Sequence, residues 1–137
     1  IIAASVGDGR VAGATRADLA EAAAVVLLED GHVGQVYELG GDTAFGYDEL
    51  AAAASVVLGR EVAYQRLTTD EHVAALEGAG LDAGLARFVA GLDEAIGRGV
   101  LADADGSLSR LIGRPTTSLV DGLRAVVGVE EQEQPAA

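Results

Sequence analysis

Gly7, Gly9 and Gly13 in GDGRVAGATRADLA have a spacing, G-x-G-x-x-x-G, that could fold a chain around the phosphates of a dinucleotide. The apolar run IIAASV precedes them, a helical pattern follows, and Glu29 and Asp30 stand about where a ribose-binding acid would. That chemistry requires the helix to begin at the glycines, so that its free amides face the pyrophosphate. Here Arg10 and Val11 interrupt. Thr15 and Asp18, spaced as a capping box, place the helix start after Gly13. Asp8-Gly9 is a strong turn dipeptide between two extended pieces. The loop therefore reads as a turn.

The other reactive side chains are similarly isolated. DADG at 103–106 starts like a calcium loop, but its glycine comes fourth rather than sixth and no glutamate occupies position twelve. His32 lies in a glycine-flanked turn and His72 in the first turn of a helix. Neither has a second ligand at metal spacing, so both read as surface residues. Ser107 and Ser109 lack a nucleophile-elbow context. Tyr37, Tyr47 and Tyr64 read as packing residues. Phe88 lies on a helical stripe and reads as core, or as pocket lining if its helix faces a cleft.

Composition narrows the chemistry further. The 137 residues suffice for one domain with its own core, built mostly from alanine, valine and leucine. There is no cysteine, which removes disulfides and thiolate chemistry and suits a cytoplasmic protein. Nine arginines stand without a single lysine, which excludes a P-loop lysine and a Tyr-x-x-x-Lys dyad. A net charge of −13 argues against nucleic acid as a partner. No apolar run reaches membrane-spanning length, so no membrane partner is expected. The chain also has no methionine and opens on Ile1 and Ile2, which suggests a processed product or the downstream part of a longer protein.

The elements that must hold these residues alternate between strand and helix. Residues 16–29 place Leu19, Ala22, Ala23, Val26 and Leu27 on one stripe, and QVYELGG (35–41) reads as a strand. Leu50, Ala53, Ala54, Val57 and Leu58 repeat the stripe, Gly59 stops it, and EVAYQRL (61–67) reads as a second strand. Alanine-rich helices resemble one another, so the recurrence reads as shared composition rather than duplication. The order favours an α/β domain with partly parallel strands. Helices follow: one capped by Thr68 and Glu71, one capped by Asp82 with a Leu85, Phe88, Val89, Leu92 and Ile96 stripe, a short one capped by Ser107, and a last from Ser118 to about Val127. Residues 130–137 read as a disordered tail.

The order of GDGRVAGATRADLAEAAAVVL, GHVGQVYELGGD, YDELAAAASVVLGREVAYQRLT, EHVAALEGAGL and LSRLIGRPTTSL resembles the downstream half of NmrA-like atypical short-chain dehydrogenases. The likeness runs from about Ile1 to Val129. Its most specific pieces are ATRADLA (14–20), GQVYELGGD (34–42) and LIGRPTTSL (111–119). It implies the C-terminal portion of an NAD(P)-binding Rossmann-like fold, comprising a few strands and a helical substrate-side region over residues 1–129. It further implies hydride transfer from NADPH or NADH to a quinone-like small molecule, with the cofactor held mainly by an upstream half. Leu67, Thr68, Leu85 and Phe88 become the substrate-lining candidates, with no catalytic, cofactor-binding or metal residue assigned. Association with the upstream half or with a second copy is expected, as is poor behaviour alone. A nucleotide-sensing member without turnover and a small apolar-ligand module remain open alternatives.

Overall fold

Short-range capping builds the helices of this computed structural model, which describes residues 1–133 and the side chains up to residue 128. Thr15 Oγ1 accepts the Asp18 amide at 3.1 Å and starts α1 (Arg16–Leu28). Glu49 returns to the Gly46 amide at 2.6 Å and starts α2 (Tyr47–Leu58), which ends on left-handed Gly59. Thr68 and Glu71 form a reciprocal box at α3 (Thr69–Gly78). Asp82 accepts two amides at the start of α4 (Ala83–Gly97). These satisfy amides that a helix start leaves without partners. At α5 (Ser107–Ile112) the cap is Gly106 rather than Ser107. Asp105 accepts from the Ser107 amide and hydroxyl, a shorter local loop than the serine could close itself.

The strands are short. β1 (Ile2–Ala4) pairs in parallel with β4 (Tyr64–Arg66), Ile2 opposite Tyr64 and Ala4 opposite Arg66. β2 (Arg10–Val11) pairs antiparallel with β3 (Phe45–Gly46). The expected strand at 35–41 is not a strand. Its backbone is held at Gln35 by His32 and at Gly41 by Ala12, and no ladder partner lies along the residues between. A β-pattern in sequence becomes a strand only when another chain segment supplies the hydrogen bonds. The second expected strand, 61–67, contracts to Tyr64–Arg66.

α6 (Leu119–Glu133) continues past Val127 through residues 130–133, which the sequence reading assigned to the tail. Glutamate and glutamine extend a helix readily. Residues 134–137 of that expected tail lie outside the described residues.

The core gathers where α1 packs on α5: Ala22, Leu108 and Ile112 are buried, with Leu19, Leu39 and Leu111 against them. Alanine lets the two helix backbones approach closely. The same preference rotates the inward face of α4 away from the expected stripe, of which Val89 and Ile96 stay half-buried. Ala86, Ala90 and Asp93 point inward at helical spacing, while Leu85, Phe88 and Leu92 are exposed. Phe88 is therefore not core; it is 62% exposed. Leu27, expected on the inner stripe of α1, also faces out.

Candidate functional site

Each glycine of the opening loop has a local structural reason, one of conformation and two of packing. Gly7 adopts φ +58°, a turn conformation that suits glycine. A Cβ on Gly9 would lie 2.7 Å from the Ile96 carbonyl oxygen, and one on Gly13 would lie 2.9 Å from the Phe45 ring. The Gly9 amide donates to the Val6 carbonyl at 2.9 Å and closes the turn between β1 and β2. With α1 starting at Arg16, helical amides do not reach Gly7 or Gly9. The loop is a chain crossing, and it does not fit a diphosphate.

The three most specific motif pieces converge on one clasp. Asp18 of α1 is 1% exposed. It accepts the Thr117 amide at 2.8 Å, the Thr117 hydroxyl at 3.0 Å and the Arg114 guanidinium at 2.8 Å. Arg114 also pairs with Glu21. Beside it, Asp42 and Thr116 exchange bonds, amide to carboxylate at 2.8 Å and amide to hydroxyl at 2.9 Å. Burial pushes the Asp18 carboxyl upward, but Thr117, Arg114 and Thr15 outweigh it and hold it below the usual carboxylate range. The Thr116 amide, with the Ser109 hydroxyl, likewise lowers Asp42. Carboxylates saturated with donors position a chain and have little basicity left for proton transfer. Sequence reading gave Asp18 a capping role and assigned none to Asp42, Arg114, Thr116 and Thr117. The presence of the three motif pieces in one chain was the signal that could have found them.

The clasp forms the wall of a cleft of about 450 Å³ lined by Phe45, Pro115, Leu119 and Val120, with Gly41 and Thr43 at its edge. A neighbouring cleft of about 230 Å³ extends along Ala14, Leu123 and Val126. A more polar cleft of about 300 Å³ lies among Gly7, Asp8, Arg10, Tyr47, Asp48 and Arg66. Arg66 bridges Asp8 and Asp48 at 2.5 Å each and lies over the Tyr64 ring. Tyr47 and Tyr64 pack against each other with ring centroids 5.5 Å apart, and burial raises both phenols. They behave as the packing residues expected.

At the carboxyl ends of β1 and β4, Ser5, His72 and Asp93 meet. Asp93 Oδ2 accepts the Ser5 amide at 2.7 Å and the Ser5 hydroxyl at 3.2 Å, and lies 3.0 Å from His72 Nδ1. His72 is buried rather than on the surface, because its helix turns this face onto α4. In a nucleophilic triad the serine meets Nε2 and the acid meets Nδ1. Here serine and acid share Nδ1, with Ser5 Oγ at 3.1 Å, so the serine is not activated. His32 is half-buried, its Nδ1 2.8 Å from the Tyr37 hydroxyl.

The four expected substrate-lining residues fall into two pairs. Leu67 is half-buried and Thr68 is exposed, its hydroxyl occupied by Glu71. The Thr69 hydroxyl donates to Glu94 at 3.0 Å, fixing that end of α3 beside the C-terminal part of α4. Leu85 lies nine residues before Glu94, about 13 Å along the helix axis. Leu67 and Thr68 thus stand at one end of the α3–α4 hairpin, and Leu85 and Phe88 at the other. Among the described residues no group of three or more His, Asp or Glu is placed to hold a metal ion, and no helix is long and apolar enough to cross a membrane.

No protein-family model matches the chain. Quinone oxidoreductase 2 of Escherichia coli K12 is 46% identical over 123 residues, covering 90% of this chain and 43% of that protein. An NAD(P)H azoreductase from Xenophilus azovorans is 29% identical over 119 residues, 87% of this chain and 42% of that protein. The crystal structure of an E. coli NADPH-dependent quinone oxidoreductase complexed with NADPH superposes with a TM-score of 0.84 at 44% identity, covering 92% of this chain and 44% of that one. A Citrobacter sp. triphenylmethane reductase complexed with NADP(H) gives 0.83 at 34% identity, covering 90% and 43%. The chain spans less than half the length of these relatives and corresponds to their C-terminal part. Its mixed fold is that of the C-terminal portion of NAD(P)-binding Rossmann-like reductases.

Proposed function

We propose a function from the premise that this chain belongs to the NmrA-like atypical short-chain dehydrogenase/reductase family: it is the C-terminal portion of an NAD(P)H-dependent oxidoreductase. The reaction is reduction of a quinone or similar acceptor by hydride from NADPH or NADH. The observation that carries this is the 46% identity to a quinone oxidoreductase across nine-tenths of the chain. Residues 1–129 form the substrate-side part, and the protein works in the cytoplasm, where a chain without cysteine is at home.

The cofactor is held mainly by an upstream half, since the Gly7–Gly13 loop is filled by Ile96 at Gly9 and by Phe45 at Gly13. This chain's contribution is to shape the acceptor side. Leu67 and Thr68 line it at the carboxyl ends of the parallel strands, the side where α/β sheets place ligands. Leu85 and Phe88, exposed at the other end of the α3–α4 hairpin, supply apolar cover at the outer margin of that side. Catalysis by such a protein rests on holding donor and acceptor face to face.

The test titrates NADPH and NADP against this chain and against the chain joined to its upstream half, then follows NADPH oxidation with a simple quinone. Binding and turnover only in the joined protein support the reading. Nucleotide binding without turnover there favours a sensor, and neither favours an apolar-ligand module.

A further inference from the structure

Asp93 is a buried carboxylate with three donors on one oxygen, and the donors come from two other elements. The Ser5 amide and hydroxyl anchor the carboxyl end of β1, and His72 Nδ1 anchors the first turns of α3. A ring nitrogen 3.0 Å from a carboxylate carries the proton, so the tautomer of His72 is the Nδ1–H form. One turn away, Thr69 donates to Glu94, the residue after Asp93. Two adjacent residues of α4 thus grip the start of α3, just after Leu67 and Thr68. Leu67 is tied to β1 as well, its amide donating to the Ala4 carbonyl at 3.0 Å. The end of α4 also packs on the turn after β1, so closely that a Cβ on Gly97 would come within 3.1 Å of the Val6 carbonyl oxygen.

We infer that His72 is a positioning residue for the acceptor side of the site: its Nδ1 bond to Asp93 fixes the Leu67–Thr68 loop over the carboxyl ends of β1 and β4. This rests on the oxidoreductase reading above. His72 does not touch the acceptor, and no proton passes through it. A leucine in its place fills the volume but leaves Asp93 short of one donor and frees the first turn of α3 to shift. An asparagine presents an amide N–H in place of Nδ1.

The experiment uses the chain joined to its upstream half, with wild type, His72→Leu and His72→Asn compared in NADPH oxidation by a simple quinone. His72→Leu is expected to raise the quinone KM about tenfold while kcat and the NADPH dissociation constant stay within about twofold, and His72→Asn to restore the KM. Turnover by wild type with an unchanged quinone KM in His72→Leu would overturn the inference and leave the oxidoreductase reading standing. Absence of any turnover by wild type would overturn both. A measurement that needs no variant is the long-range ¹⁵N–¹H spectrum of the two histidines. A proton on Nδ1 of His72 supports the inference, and an unprotonated Nδ1 overturns it.

Discussion

Asp18 and Thr117 are joined twice although 99 positions separate them: the Thr117 amide donates to one carboxylate oxygen at 2.8 Å and its hydroxyl to the other at 3.0 Å. With Arg114 on the same carboxylate, this bond set pins the segment between α5 and α6 to the start of α1. It also holds one wall of the largest cleft described above.

Removing that carboxylate leaves the half-buried Thr117 amide and hydroxyl without their partner. Asp18→Ala is expected to lower unfolding free energy by about 1.5–3 kcal/mol, the range for losing hydrogen bonds to a charged group, since the Arg114 left behind is solvent-exposed. Equilibrium urea unfolding of the two proteins measures it. A loss within about 0.5 kcal/mol, as at an ordinary surface site, would show that the clasp does not hold the fold.

The same group sets a response to acid. Asp18 and Asp42 both have lowered folded-state values, so their contribution is complete above the unfolded carboxylate value of about 4 and is lost as pH falls through the folded-state values. Thermal melts from neutral pH downward should therefore hold steady until about pH 4 with respect to these two groups and then decline. Asp18→Asn should flatten the decline; an unchanged acid slope would assign it to other carboxylates.

The opening loop separates packing from nucleotide binding. Gly9→Ala places a methyl against the Ile96 carbonyl and should cost about 1–3 kcal/mol. In the joined protein its NADPH dissociation constant should stay within about twofold of wild type. A large loss of NADPH affinity in a well-folded variant would return this loop to the cofactor site.

Exposed apolar side chains should govern how the isolated chain behaves. Leu27 and Leu28 project from the outer face of α1, and Val33 is 99% exposed beyond it. Large apolar side chains left in water favour association. Sedimentation should show concentration-dependent oligomers that Leu27→Glu with Leu28→Glu reduces. A monodisperse wild-type monomer would contradict this.

Phe88 offers the most direct check of the acceptor side. At 62% exposure, Phe88→Ala should change stability by no more than about 0.5 kcal/mol. In the joined protein the same change should raise the quinone KM by about fivefold or more, because apolar cover is lost. Steady-state kinetics with a simple quinone decides it; an unchanged KM would remove α4 from the pocket.

What the sequence determined by itself is local. The caps at Thr15, Thr68 and Asp82 stand where their spacing places them, because a side chain three residues from an amide can reach it whatever surrounds the helix. Arg10 and Val11 already marked the glycine loop as a turn, and motif order alone carried the family. Tertiary structure decided the rest. Periodicity could not say which side of α4 turns inward, because Ala86 and Ala90 permit a closeness that Leu85 and Phe88 forbid. Nor could it pair His72 with Asp93, or Asp18 with Thr117, since those bonds exist only once helices distant in sequence are packed side by side. The 35–41 segment shows the same limit in the other direction: a β-pattern is a property of one segment, but a strand is a property of two.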